Sequence, residues 1–194
     1  MKKILLISLT AVLIIAWGAR FYIVNKDIDT SIVQLFPKGT EVPIEKDFFI
    51  NSDEDMDGYT VTVLDAELMS VEDFLQRYHA EEQTEMLGNF TDYIYTVRVS
   101  VGNHDNPFLN EKGINLQYYY LEGTDYVLSL EDICYQIANP DMPGTSFSLR
   151  QETSMELVLP FSVMSSQTSR KHVLEDAPKL LVSLYPHQKL IELY

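Results

Sequence analysis

The chain has 194 residues, of which 29 are Asp or Glu and 14 are Lys or Arg, so its formal net charge at pH 7 is −15. Such an acidic surface repels phosphate backbones, which excludes nucleic-acid binding from the expected functions. The length is sufficient for one domain with its own core. The single cysteine, Cys134, excludes an intramolecular disulfide.

The first two dozen residues have the pattern of a membrane anchor or a signal peptide. Lys2 and Lys3 precede an apolar run over residues 4–19, and apolar residues after Arg20 extend the run to Val24. As a helix, the extended run is about 31 Å long, close to the ~30 Å hydrocarbon thickness of a bilayer. Because basic residues stay on the cytoplasmic side, the rest of the chain is expected outside the membrane.

Two interpretations of this segment stay open. An uncleaved anchor over residues 1–24 makes a single-pass membrane protein, with Trp17 and Arg20 at the outer interface. The small residues Ala16 and Gly18 instead fit signal-peptide cleavage after Gly18, in which case the rest of the chain is secreted. A lipoprotein anchor is not expected, since no cysteine follows the apolar run.

Beyond the anchor, we expect a polar stalk over residues 25–36 and a single domain over residues 37–194. A turn at residues 37–40, Pro-Lys-Gly-Thr, separates the two. The next extended piece, Glu41–Ile44, is expected at the edge of a sheet because Pro43 has no N–H to donate.

Alternation of apolar and polar residues predicts two long strands, Tyr59–Leu68 and Asp92–Gly102. Between them, Ser70 and Asp73 resemble a capping box. Apolar residues at helical spacing then predict a short amphipathic helix over Val71–His79.

The rest of the domain continues in short elements. An acidic connector is expected over residues 80–89. Ser129 with Asp132 repeats the capping signal and predicts a second helix over Leu130–Ile137. A turn over residues 186–189 joins the last two strands into a hairpin. Alternation of apolar and polar residues predicts five further strands, over residues 114–120, 126–128, 155–163, 180–185 and 190–193.

The pattern as a whole favours a mainly β domain. Many short alternating strands with two helical inserts and no βαβ rhythm indicate an antiparallel β-sandwich rather than a parallel sheet. The 12 tyrosines fit this fold, because tyrosine favours strands and its hydroxyl reaches water at sheet margins. The sandwich is preceded by the N-terminal transmembrane or signal helix.

The sharpest local motif runs from Asp53 to Gly58 and matches D-x-D-x-D-G, the first half of an EF-hand loop. The carboxylates of Asp53, Asp55 and Asp57 alternate and can converge on one calcium ion, while Gly58 permits the tight turn. Position twelve of the loop is Leu64 rather than glutamate. A weak calcium site at the three aspartates is therefore the metal prediction, and a solvated acidic turn is its alternative.

No enzyme signature accompanies this motif. The sequence contains no G-x-S-x-G, S-x-x-K, H-E-x-x-H or glycine-rich phosphate-loop motif. The four histidines, His79, His104, His172 and His187, lack ligand-pair spacing and are expected at the surface. Cys134 lies on the apolar face of the second helix, where a buried small hydrophobe is expected rather than a nucleophile. We therefore predict no cofactor and no enzymatic activity.

Three segments resemble a known group of proteins. The turn over residues 38–42 reads KGTEV, Gly58–Glu67 reads GYTVTVLDAE, and Tyr95–Asn103 reads YTVRVSVGN. With the N-terminal anchor, this pattern resembles the uncharacterised immunoglobulin-like extracytoplasmic proteins of Gram-positive bacteria. The resemblance covers most of the exported part. It implies an immunoglobulin-like β-sandwich at the cell surface or in the medium, and it carries over no functional residue.

Three functions follow as hypotheses. The leading one is a non-enzymatic, membrane-anchored extracytoplasmic interaction or cell-envelope module with a protein or cell-wall partner. The first alternative is an accessory or immunity-type protein that binds a secreted basic protein or peptide, which the acidic surface suits. The second is a hydrolase with an unrecognised carboxylate site.

Overall fold

The computed structural model describes residues 2–25, 32–50, 54–87, 91–107, 113–142 and 144–194. The chain divides into two compact units, Met1–Thr30 and Ser31–Tyr194. The first unit contains helix α1, Lys2–Asn25. A search of the described residues for a helix with the length and apolarity needed to cross a membrane found none.

The second unit is mainly β. Its described strands are β1 (Ile32–Phe36), β2 (Val42–Pro43), β3 (Tyr59–Ser70), β4 (Tyr93–Asn103), β5 (Ile114–Asn115), β6 (Tyr120–Glu122), β7 (Val127–Ser129), β8 (Ser146–Phe147), β9 (Thr153–Val163), β10 (Lys179–Ser183) and β11 (His187–Glu192). The helices between them are α2 (Val71–Arg77), α3 (Thr84–Leu87), α4 (Asp132–Ala138) and α5 (Arg170–Glu175).

The strands form two main sheets and one small one. Four antiparallel strands lie in the order β2-β3-β4-β9, five strands lie in the order β1-β11-β10-β6-β7, and β5 pairs with β8. In the five-stranded sheet, β1 runs parallel to β11 and the remaining pairs are antiparallel. These mainly antiparallel sheets with helices between their strands confirm the prediction of a mainly β domain, and the parallel pairing of β1 departs from the antiparallel expectation.

Both main sheets contribute to one hydrophobic core. Val61, Val97 and Leu159 of the four-stranded sheet are buried in the same cluster as Leu180 and Ile191 of the five-stranded sheet. Successive side chains of a strand point to opposite faces, so the alternation in β3, β4 and β9 directs the apolar residue at every second position into this core. Burying one such side chain stabilises the fold by about 1.5–3 kcal/mol relative to exposing it.

A smaller hydrophobic cluster packs helices α2, α3 and α4 against the four-stranded sheet. Phe74 and Leu75 of α2 are buried with Ile94 of β4, Leu87 of α3 and Cys134 of α4. Residues of α2 at i and i+3 or i+4 lie on one side of the helix, which is why its apolar stripe faces this cluster. The α2 prediction is thereby confirmed.

The two capping predictions have opposite outcomes. Ser70 Oγ accepts a hydrogen bond from the backbone N–H of Asp73 at 3.1 Å and caps α2 as predicted. The second prediction is wrong, because Ser129 ends β7 and α4 starts after Glu131, which makes no side-chain cap. The backbone N–H of Glu131 bonds to the carbonyl of Pro160 at 2.8 Å, so the chain stays extended up to this residue.

The predicted third strand, residues 114–120, is interrupted. β5 ends at Asn115, whose side-chain oxygen accepts a hydrogen bond from the backbone N–H of Gln117 at 3.1 Å. This contact starts a 3₁₀ turn over Leu116–Tyr118, and β6 begins only at Tyr120. Hydrogen bonds from an Asn side chain to nearby backbone groups compete with strand pairing. The alternation of apolar residues gives no sign of this competition.

The stalk and the connector are also more ordered than predicted. Residues 32–36 of the expected stalk form β1, because they pair with β11 from Ile32 opposite His187 to Phe36 opposite Ile191. The expected connector contains a 3₁₀ turn over Glu81–Gln83 followed by α3. Long-range pairing of β1 leaves no trace in the local sequence pattern.

The C-terminal hairpin is confirmed, but its turn lies earlier in the chain. β10 ends at Ser183 and β11 begins at His187, so most of the predicted turn over residues 186–189 belongs to β11. Lys189 pairs with Ser183 on one side and with Gln34 on the other. A lysine inside a central strand is unexpected from its hydrophilicity, because lysine is almost never fully buried unless it is paired.

Candidate functional site

An exposed apolar surface lies along one edge of the five-stranded sheet. Backbone bonds join its segments: the N–H of Ile32 donates to the carbonyl of Pro186 at 3.1 Å, and the N–H of Leu184 donates to the carbonyl of Phe48 at 3.1 Å. Successive side chains of β1 point to opposite faces of the sheet, so its exposed apolar residues lie on both sides of this edge. Large exposed apolar areas are typical of contact sites for other molecules. The surface, called the β1 surface below, comprises the exposed side chains of Ile32, Val33, Leu35, Ile50, Leu184 and Tyr185.

β1 also presents an open strand edge. One side of β1 pairs with β11, and no other strand of the described ranges pairs with its opposite side. Natural edge strands are commonly protected by charged residues or proline, but β1 reads IVQLF and contains neither. Unpaired backbone groups beside apolar side chains are the combination used when another chain adds a strand to a sheet.

A polar groove of about 400 Å³ lies at one end of the four-stranded sheet. Glu41 accepts a hydrogen bond from Thr60 Oγ1 at 2.8 Å, and its carboxylate lies 2.7 Å from His104 Nε2. The His104 bond is the main cause that lowers the pKa of Glu41, and the same bond raises the pKa of His104. The hydroxyl residues Thr62, Ser100, Thr153 and Ser154 also line the groove, together with Leu64, Asn103 and the carboxylate residue Glu152. The arrangement suits a polar or cationic ligand.

Three side chains able to bind a metal converge between the β6–β7 turn and α5. Asp125 Oδ1 lies 2.7 Å from His172 Nε2, and with a carboxylate oxygen of Asp176 these ligand atoms all lie within 4.8 Å of one another. The bond to Asp125 is the main cause that raises the pKa of His172. These three residues, called the His172 cluster below, are the one such group in the described part of the chain.

A buried ion network joins β11 to the loop after β2. The ammonium of Lys189 bonds to the carbonyl oxygens of residues 43 and 44 at 2.7 and 3.1 Å, and to the carboxylate of Glu45 at 2.6 Å. It also lies 2.8 Å from Asp47 Oδ2, while the other oxygen of Asp47 lies 2.9 Å from His187 Nδ1. The three ammonium protons face four oxygens, so Asp47 Oδ2 contacts the ammonium as an ion pair but accepts no hydrogen bond from the described residues. We assign this network a structural role, because its contacts join segments far apart in sequence.

The structure describes two of the three predicted calcium ligands, and Asp53 lies outside the described residues. The backbone carbonyls of Asp55 and Asp57 accept hydrogen bonds from Asn106 Nδ2 at 3.1 and 2.6 Å. β3 begins at Tyr59, the position-seven ligand of an EF-hand, and its carbonyl already accepts a backbone hydrogen bond. The second half of the loop is therefore strand. Calcium binding by the three aspartates themselves stays a prediction.

The other candidate residues divide into expected and unexpected environments. Cys134 is fully buried, and this burial raises the pKa of its thiol to about 12, as expected for a small core residue. His104 and His172, expected as unremarkable surface residues, each pair with a carboxylate. The spacing of four between His172 and Asp176 was the one local signal of the cluster. The contribution of Asp125, 47 residues before His172, depends on the tertiary fold.

Comparisons with known proteins place the chain in a family. A search of curated proteins and a search of solved structures each found no match. The model of a family described as "Domain of unknown function (DUF5028)" matches residues 33–189, from the second residue of β1 into β11. The matched segment contains the His172 cluster and both members of the buried Lys189–Asp47 pair. The chain therefore belongs to the DUF5028 family.

Proposed function

We propose that the protein is a non-enzymatic, membrane-anchored extracytoplasmic interaction module that binds a partner protein along β1. The observation that carries the proposal is the β1 surface, where an open strand edge without charge or proline coincides with exposed apolar side chains. A protein partner fits this surface because an added strand satisfies the unpaired backbone groups while its side chains cover the apolar residues.

Site-specific photo-crosslinking in intact cells tests the partner. A photoreactive amino acid replaces Val33, which is 59 % exposed, and in a matched control it replaces Val127, which is 55 % exposed in β7 at the opposite edge of the same sheet. We expect position 33 to give a discrete crosslinked protein band and position 127 to give none. A band at twice the mass of the chain would identify a second copy as the partner.

No crosslink from position 33, or equal crosslinking from both positions, would contradict binding along β1. Val33→Asp serves as a second test, because a charge on the edge strand disfavours strand addition. In a chain with the photoreactive amino acid at position 35 instead of Leu35, Val33→Asp should abolish the crosslink to the partner. The strand should stay folded, because Val33 is exposed.

The membrane anchor in this proposal rests on the amino-acid sequence. Lys2, Lys3 and the apolar run up to Val24 support an anchor with the domain on the outer side of the cell membrane. Immunoblotting of membrane and medium fractions with a C-terminal tag tests it. We expect full-length protein in the membrane fraction, and only shortened protein in the medium would show that the segment is cleaved near Gly18.

We also propose an immunoglobulin-like sandwich and, from the sequence resemblance, a Gram-positive source. Two main sheets that share one core support the sandwich. The order β2-β3-β4-β9 differs from the A-B-E-D order of an immunoglobulin sheet. In that sheet strand B lies beside strand E, which comes later in the chain, whereas β3 lies beside β4, the next strand in the chain. An experimental structure with sheets packed at about −30° would agree, and orthogonal packing would overturn the sandwich.

A second function is favoured by the groove at Glu41. An ionised carboxylate beside hydroxyl groups, on a chain with a net charge of −15, suits a secreted basic protein or peptide. A neighbouring gene for a secreted basic toxin would favour this accessory or immunity role. Binding to such a peptide that Glu41→Gln weakens, and Val33→Asp does not, would favour it over binding along β1.

A further inference from the structure

Two segments that are distant in sequence bring the His172 cluster together. Asp125 lies in the turn that joins β6 to β7, a turn closed by the bond from the N–H of Gly123 to the carbonyl of Tyr126 at 2.9 Å. His172 and Asp176 lie four residues apart in and just after α5, so they share one side of this helix. The cluster is therefore built from side chains held by two defined backbone elements.

Contacts outside the cluster hold Asp176 in place. Its two carboxylate oxygens accept hydrogen bonds from Thr124, one from the backbone N–H at 2.6 Å and one from the hydroxyl at 2.8 Å. The hydroxyl of Tyr126 donates to the backbone carbonyl of Asp176. The Tyr126 ring also packs edge-on against His172, with ring centroids 5.4 Å apart. A ligand oriented by such outer contacts loses little freedom on binding a metal.

The donor set points to a transition-metal dication. One imidazole nitrogen and two carboxylate oxygens are ligands that zinc accepts, and the two carboxylate charges balance a charge of +2. Calcium and magnesium prefer oxygen ligands alone, so the histidine disfavours both ions. The side chains of Asp125 and His172 are 70 % and 41 % exposed, which leaves room for water at the remaining coordination positions.

We propose that Asp125, His172 and Asp176 form a binding site for a divalent transition metal of the zinc class. Zinc bonds of about 2.0–2.2 Å in a tetrahedral arrangement place ligand atoms about 3.4 Å apart. The Asp125–His172 contact of 2.7 Å must therefore open slightly, and any pair near the 4.8 Å limit must close. Rotation of the exposed Asp125 side chain supplies this adjustment, while Thr124 keeps Asp176 in position.

Calorimetric titration of the full-length chain in detergent micelles with zinc chloride tests the site. We expect saturable binding of one zinc ion per chain, together with a zinc-dependent rise in the melting temperature. His172→Asn and Asp125→Asn should weaken zinc binding at least tenfold. The matched control is His104→Asn, because His104 also lies 2.7 Å from a carboxylate oxygen, that of Glu41, but the described residues supply no third ligand there. Its affinity should stay within twofold of the wild type.

The outcomes separate a built site from unspecific binding. Absence of saturable zinc binding, or full affinity in His172→Asn, overturns the proposal. Equal loss in His104→Asn also overturns it, because zinc would then bind scattered histidines. If His172→Asn perturbs α5, Asp125→Asn still tests the site, because Asp125 lies in an exposed turn where the substitution should not disturb the fold. Magnesium chloride at the same concentration should leave the melting temperature unchanged. None of these outcomes depends on a partner at the β1 surface.

Discussion

The ammonium nitrogen of Lys189 lies 2.8 Å from a carboxylate oxygen of Asp47, and both side chains are almost completely buried. Asp47 lies in the loop after β2, at the edge of the four-stranded sheet, whereas Lys189 lies in β11 of the five-stranded sheet. The pair thus connects the two main sheets of the domain. A one-sided substitution leaves a buried charge without its partner.

Lys189→Met should destabilise the domain by about 3–5 kcal/mol, because it removes the ammonium that faces the buried carboxylate of Asp47 and leaves that carboxylate with its His187 contact. Equilibrium unfolding in guanidinium chloride measures the change. The control is Lys38→Met, which removes a surface pair with Asp65 at 3.5 Å. That change should cost less than about 1 kcal/mol, as surface ion pairs contribute little. Similar losses in both variants would contradict the structural importance of the buried pair.

Ser70→Ala should destabilise the domain by about 1 kcal/mol, because Ser70 Oγ satisfies a backbone N–H in the first turn of α2. Ser129→Ala provides a matched control, since Ser129 occupies the same sequence motif but lies in β7 and caps no helix. Its effect should stay within about 0.5 kcal/mol. Thermal unfolding of both variants measures the difference, and equal effects would contradict the assignment of the caps.

Gly58→Ala should destabilise the domain more than Gly39→Ala. Both glycines have positive φ angles, 88° and 81°, which cost an L-residue about 1–2 kcal/mol. At Gly58 a Cβ would in addition lie 2.6 Å from the backbone nitrogen of Asn106, whereas at Gly39 a Cβ would meet no atom of the described residues within 4 Å beyond its chain neighbours. Unfolding free energies measure the two losses. A smaller loss at Gly58 would contradict the close contact with Asn106.

His104 should titrate with a pKa above 6.5, and Glu41→Gln should lower this value. The stabilisation from a raised histidine pKa is present below the unfolded value and is lost as pH rises through the folded pKa. Glu41 has a lowered pKa, so its contribution to folding stability is present above pH 4.5 and is lost as pH falls through the folded pKa. The pair therefore stabilises most between about pH 4.5 and 6.5.

NMR titration of the His104 ring protons measures this shift. Asp125→Asn is the control, because Asp125 contacts a different histidine and should leave the His104 titration unchanged. If Glu41→Gln leaves the pKa of His104 where it is in the wild type, the 2.7 Å contact does not persist in solution.

The alternative to a calcium site, a solvated acidic turn, predicts that millimolar calcium leaves the melting temperature unchanged. β3 begins at Tyr59, so the residues that would supply the second half of an EF-hand loop belong to a strand. Differential scanning calorimetry with and without calcium chloride measures the effect, with magnesium chloride as control. A saturable rise that is specific to calcium and lost in Asp57→Asn would instead establish the site at Asp53, Asp55 and Asp57.

The sequence alone determined the elements whose cause is local. Alternation in Tyr59–Leu68 and Asp92–Gly102 predicted β3 and β4 within two residues, because a strand that directs its apolar side chains to one face requires a period of two. Ser70 predicted the start of α2 because its hydroxyl bonds a backbone group only three residues away. Such interactions can be predicted from the sequence because the residues that make them are close together in the chain.

Only the tertiary structure decided the features that join distant segments. The local sequence of β1 is typical of a stalk, and only its pairing with β11 shows that it is a strand. The local sequence of Lys189 is typical of a turn, and only the fold places its ammonium against Asp47 and Glu45. The His172 cluster likewise needs Asp125 from another turn. Strand order and charge pairing depend on which segments meet across the fold. Because a short window of sequence contains no record of these distant partners, the local pattern left them undetermined.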